Sequence, residues 1–175
     1  MLRAFLLVSG LLVSGLSAAH ADPADFHSGK VIKDYGKTAA IPDARLTKDT
    51  QFKIAYDISK AGPNGAVSRY LVTPARFLNM HAEAGVPVEN MKIAIVVHGS
   101  AHRDLLTNEA YGGENANAGL IAALIEFGAT IELCGQTAAH YSLKQEDLLP
   151  GVTIGLSAMT AHALLQQEGY TLNPF

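Results

Sequence analysis

The sequence predicts a three-layer α/β/α sandwich around a mostly parallel sheet of about five strands. Three observations carry that reading. Between residues 52 and 172, short β-branched runs alternate with stretches of helical period, at spacings that suit right-handed crossovers. The run Met91-Lys92-Ile93-Ala94-Ile95-Val96-Val97 is nearly continuous in apolar character, as a strand covered on both faces should be. Gly85, Gly128 and Gly151 fall at the joins between runs, where the chain must turn.

Taken in order, residues 1–21 read as a secretory signal peptide. Arg3 supplies the positive start, Ala4 to Leu16 the apolar stretch, and Ala19-His20-Ala21 the cleavage site. The apolar stretch is shorter than the ~20 residues a membrane span requires. The expected mature chain begins at Asp22, is exported to a periplasm and has no membrane partner. Residues 22–50 form an N-terminal arm, with isolated apolar residues such as Val31, Ile32, Tyr35 and Leu46 and no sustained period. Such an arm escapes proteolysis only if it docks, on its own domain or on a neighbouring subunit.

The domain proper spans residues 51–175. Phe52 to Ile58 is its first strand, closed by the turn cluster Ala61-Gly62-Pro63-Asn64-Gly65. A helix follows from about Ser68 to Ala84. Pro74 leaves its start open: either the helix begins there with Thr73 as cap, or an earlier turn precedes a kink. The strand Met91–Val97 runs into His98-Gly99-Ser100-Ala101-His102, then helical turns to Ala110 and a Gly/Asn loop at 111–117. A helix over 118–127 precedes the strand 129–134, which ends on the chain's single cysteine, Cys134. A polar loop with Gln136, Thr137, His140 and Tyr141 is expected next, then a short helical piece through Leu148. Val152 to Ile154 is a short strand, Ser157 caps a helix over 158–167, and Tyr170 to Leu172 form a last strand.

Composition narrows the partners. The formal charge of −3, with no basic run and no tryptophan, excludes a nucleic-acid surface. Gly99-Ser100 and Gly112-Gly113 make no dinucleotide or phosphate-loop fingerprint, so no nucleotide cofactor is expected. Ser100 lacks the glycine framing of a hydrolase elbow. One cysteine cannot form an internal disulfide, so core packing must hold the fold.

Cys134 stands where a parallel strand stops, the lip at which open α/β sheets bind ligands. An ordinary thiol has a pKa of ~8.5 and is mostly protonated at neutral pH. A nearby helix start supplies only ~0.3–1 kcal/mol toward the anion. More is needed, and His98, His102 and His140 are the candidates, with Gln136 and the backbone N–H groups after Cys134 as hydrogen-bond donors. We take Cys134 and His98 as the candidate catalytic pair. Gly99, Gly135, Gln136, His140, Tyr111 and Asn117 are candidates for holding a small substrate. No metal site is assigned.

Several pieces together resemble one family. They are Val97-His98-Gly99 after an apolar strand, Tyr111, Asn115-Ala116-Asn117-Ala118, Leu133-Cys134-Gly135-Gln136, Leu149-Pro150-Gly151-Val152 and Ser157-Ala158. From Phe52 to Leu172 the chain is similar to the DsrE/DsrF-like family, in particular to its small exported members. The resemblance implies a flavodoxin-like fold and homo-oligomers, trimers or hexamers. It also implies that Cys134 matches a cysteine that, in well-studied members, carries sulfane sulfur as a persulfide within a cytoplasmic relay. This chain departs from those members in its export signal and in having no second cysteine.

Two functions follow as expectations. In one, Cys134 is the nucleophile of a sulfur carrier or sulfurtransferase-like protein, taking sulfur from a small donor and giving it to a thiol acceptor. In the other, the same pocket is a non-catalytic binding module for a small ligand or a soft metal, using Cys134 with a histidine.

Overall fold

The computed structural model describes residues 25–42 and 44–174. The signal peptide of the sequence reading lies outside them. Five strands form one sheet: β1 (Phe52–Ile58), β2 (Met91–Val97), β3 (Thr130–Cys134), β4 (Val152–Gly155) and β5 (Thr171–Asn173). Their order is β4-β3-β2-β1-β5, and every pairing is parallel. The sheet is the expected one, with no antiparallel member among the described residues.

The helices are α1 (Arg69–Glu83), α2 (Asn108–Tyr111), α3 (Ala118–Phe127), α4 (Gly135–His140) and α5 (Ala158–Gln167). Successive steps from β1 to β4 move in one direction along the sheet. Right-handed crossovers therefore place α1 and α3 on one face, and the return from β4 to β5 sends α5 across the other. Packing agrees: α1 touches α3, while α5 touches β2, β3, β4 and β5.

Strand alternation sorts the side chains accordingly. Ile54, Tyr56, Ile93, Ile95, Val97, Ile131 and Leu133 join Leu71, Leu78, Leu120, Ile121 and Leu124 of α1 and α3 in the main core. Burying each such aliphatic contributes about 1.5–3 kcal/mol. The other face presents Ala94, Val96, Thr130, Glu132, Thr153 and Gly155 beneath α5. Asp57 and Cys134 fall on that second set by the same alternation.

The question left by Pro74 is settled: α1 starts at Arg69, and Pro74 lies inside it. The lost N–H leaves the Tyr70 carbonyl without its helical donor. The arm docks on its own domain. Asn79 on α1, fully buried, accepts from the N–H groups of Val31 (3.1 Å) and Ile32 (2.9 Å), and donates to the carbonyls of Ile32, Tyr35 and Gly36.

One expectation is corrected. The segment after Cys134 is no loop: β3 passes directly into α4, with Cys134 as its N-cap residue. Gly135 opens the helix because any β-carbon there would collide with the Gly155 carbonyl at the end of β4. Close backbone approach is what requires a glycine there.

Candidate functional site

The site begins with two helix starts meeting at one sulfur. The first N–H groups of any helix lack intrahelical partners. At α4, those of Gln136 and Thr137 turn to Cys134, and at α5 that of Ala158 does the same. Ser157 caps α5 by accepting from the Thr160 N–H at 3.0 Å, which fixes the helix so that Ala158 is left for the sulfur. The Thr137 hydroxyl adds a fourth donor. It accepts from the Gly99 N–H at 3.2 Å, so its own proton is free to point at the sulfur.

These contacts set the thiol's chemistry. Burial pushes the Cys134 pKa up, because the residue is only 7 % exposed. The N–H groups of Thr137 and Ala158, the Thr137 hydroxyl and the Gln136 N–H oppose it, and their sum leaves the thiol below its ordinary value. The dipole argument alone fell short; direct hydrogen bonds to the anion supply the rest.

Cys134 opens into a cavity of about 280 Å3 at the carboxyl edge of β1, β2 and β3. Asp57, His98, Gln136, Met159 and His162 help to wall it, and none of its lining residues is lysine or arginine. Asp57, near the end of β1, accepts from two imidazoles at once. His162 Nε2 lies 2.8 Å from its carboxylate, and His98 Nε2 lies 3.2 Å away. Each neutral ring therefore carries its proton on Nε2 and leaves Nδ1 bare. His162 Nδ1 is buried without a partner among the described residues. Larger hollows beside α5 and beneath the arm contain neither cysteine nor histidine.

A model of the DsrE/DsrF-like family matches residues 53–174. The chain belongs to the DsrE/DsrF-like family. Two solved structures share the fold. The protein of unknown function MTH1491 from Methanobacterium thermoautotrophicum is 20% identical, with a TM-score of 0.56, over 71% of this chain and 100% of its own. The ychN protein from E. coli is 16% identical, with a TM-score of 0.52, over the same shares, 71% and 100%. No curated protein matches at a significant level. As in other DsrE-like proteins, the present sheet is parallel with helices on both sides.

The residues singled out from sequence divide into two groups. Cys134, His98 and Gln136 line one cavity, while Gly99 and Gly135 supply its backbone corners through Thr137 and Gly155. Gly99 holds a left-handed φ of +55°, and a β-carbon there would press on the Ser59 carbonyl. Tyr111 and Asn117 lie outside the cavity. The Tyr111 hydroxyl accepts from Gly65 at 3.4 Å, and buried Asn117 accepts from Ser68 at 2.7 Å, tying α3 to the start of α1. His102 donates from Nδ1 to the Gly99 carbonyl at 2.8 Å and stacks on Tyr141. His140 is exposed and meets only the edge of that same tyrosine.

Sequence reading missed Asp57, Thr137, Ala158 and His162 as parts of the site. A signal existed for each. Asp57 is a carboxylate inside an otherwise apolar strand end. Thr137 stands three residues after Cys134, the spacing by which an N-terminal residue meets the N3 position. His162 follows Ala158 by one helical turn and so shares its face. Among the described residues, no three His, Cys, Asp or Glu side chains converge to hold a metal ion.

Proposed function

We propose that this DsrE/DsrF-like protein handles sulfane sulfur through a persulfide on Cys134. The observation that supports this best is the ring of four hydrogen-bond donors around a sulfur that faces a cavity. A donor of the persulfide, polysulfide or thiosulfate class enters, the Cys134 thiolate attacks its sulfane sulfur, and a thiol acceptor later removes it. The protein works after export, in the periplasm, under the signal peptide read from residues 1–21. It works as a homo-oligomer, trimer or hexamer; exposed Leu156 and Met159 beside the cavity are the residues such assembly would cover.

Intact-mass measurement after polysulfide treatment tests the chemistry. The expected result is a gain of about 32 Da per sulfur atom, absent from Cys134→Ser. A native protein that stays unmodified under conditions that label its thiol would refute the reading. Light scattering of the mature chain tests the assembly, and a monomer at all concentrations would exclude it.

A further inference from the structure

The sulfur-carrier reading leaves the donor open between inorganic anions and organic persulfides; the cavity's own walls choose between them. Thiosulfate and the longer polysulfides are dianions. A dianion entering this cavity meets the Asp57 carboxylate and no lysine or arginine. Like charges a few ångströms apart repel, and a dianion is repelled twice as strongly as a monoanion at the same distance. An alkyl persulfide brings one negative charge instead of two, a single proton restores the reactive R–S–SH, and its carbon chain suits Ala158 and Met159 at the rim.

An alkyl donor creates a second requirement. Its departing RS− is a strong base, with a conjugate acid near pKa ~8.5, and leaves poorly unless a proton reaches it. His98 lines the cavity and is about one-third exposed. Its Nε2 is held by Asp57, and Asp57 is braced from the other side by His162 at 2.8 Å. No described residue bonds His98 Nδ1, so that nitrogen is open to accept and return a proton. The arrangement is a carboxylate orienting an imidazole beside a thiol, with a second imidazole fixing the carboxylate.

We propose that the cavity takes alkyl persulfides, that His98 protonates the departing alkyl thiolate, and that Asp57 and His162 are its positioning residues. The step balances. The Cys134 thiol proton passes to His98 Nδ1. The thiolate then bonds to the outer sulfur of R–S–SH as the bond from that sulfur to R–S breaks. RS− takes the electron pair and the proton from His98, giving Cys134–S–SH and RSH with no outside oxidant. This rests on the sulfur-carrier reading.

The test uses the mature protein and follows Cys134 by mass. The persulfide of 2-mercaptoethanol loads the wild type, and thiosulfate at equal concentration loads it at least ~10-fold more slowly. His98→Gln and Asp57→Asn each slow loading from the alkyl persulfide by ~10²-fold, the usual yield of a general acid. At a pH above the pKa of the thiol, where no base is needed, both variants react with an aryl disulfide, whose thiolate leaves without a proton, within about threefold of wild type. Alkylation by iodoacetamide at high pH, which needs no acid, changes as little. Circular dichroism checks that each variant is folded, and His162→Gln should follow Asp57→Asn in direction. Thiosulfate loading as fast as the alkyl donor overturns the donor class. Equal losses for aryl and alkyl donors, or lost alkylation, overturn the role of His98. A wild type that loads from neither donor refutes the sulfur-carrier reading itself, which is a separate failure.

Discussion

The two faces of this sheet are built to different standards. On one, large aliphatics from four strands interlock with α1 and α3, and the arm seals the outside of α1 through Asn79. On the other, a single ten-residue helix lies over small and polar side chains, leaving Leu156, Met159 and Leu164 exposed. The chemistry stands at the edge of the thinner face. A site needs a way in, and a core needs none; here the same alternation along β1 and β3 serves both. Ile131 and Leu133 point one way, and Glu132 and Cys134 the other.

Three measurements bear on that contrast. The largest effect falls on the packed face. Leu133→Ala should cost about 2–5 kcal/mol by urea unfolding, while Leu164→Ala on α5, 53 % exposed, should change stability by less than about 1 kcal/mol. Similar costs for the two would mean that the second face is as tightly covered as the first. Next, Asn79→Ala removes the amide that ties α1 to the arm, accepting from two arm N–H groups and sharing its two protons among three arm carbonyls, some of them buried. A loss of about 1–3 kcal/mol is expected. Limited proteolysis should then cut within residues 25–42 before it cuts the domain; a cleavage pattern like the wild type's would show that the apolar contacts of the arm suffice.

The smallest effect on stability is at the site. Thr137→Val should cost about 1 kcal/mol, since the Gly99 N–H loses its acceptor. Its clearer mark is on titration. The folded thiol lies below its ordinary value, so the fold favours the thiolate. That contribution is complete above the unfolded thiol's pKa and is lost as pH falls through the folded one. The midpoint of thiol alkylation against pH should therefore lie lower in the folded protein than in the denatured chain, and Thr137→Val should move it upward. An unmoved midpoint would assign the effect to the backbone donors alone.

Most of the architecture was legible because strand and helix periods in this chain are clean. Met91–Val97 and Ala118–Phe127 could be bounded almost to the residue, and Ser157 announced its helix. The segment after Cys134 was misread for a physical reason. A six-residue helix has too few turns to show a period, and its opening glycine looks like a breaker until the Gly155 carbonyl opposite it is known. The site divided along the same line. Cys134 and His98 could be paired because adjacent parallel strands end together. Asp57 stands near the end of the strand on the other side of β2, within reach of the same rule, but His162 comes from the helix that crosses back over the sheet, and no spacing along the chain brings it to Asp57.

The outermost strands, β4 and β5, have four and three residues. Each offers only a stub of unpaired peptide groups, too short to template a neighbour's strand. Strand length alone thus discourages growth of the sheet at both ends. Copies that meet must do so through side chains, which leaves the selection of partners to residues that mutation can tune one at a time.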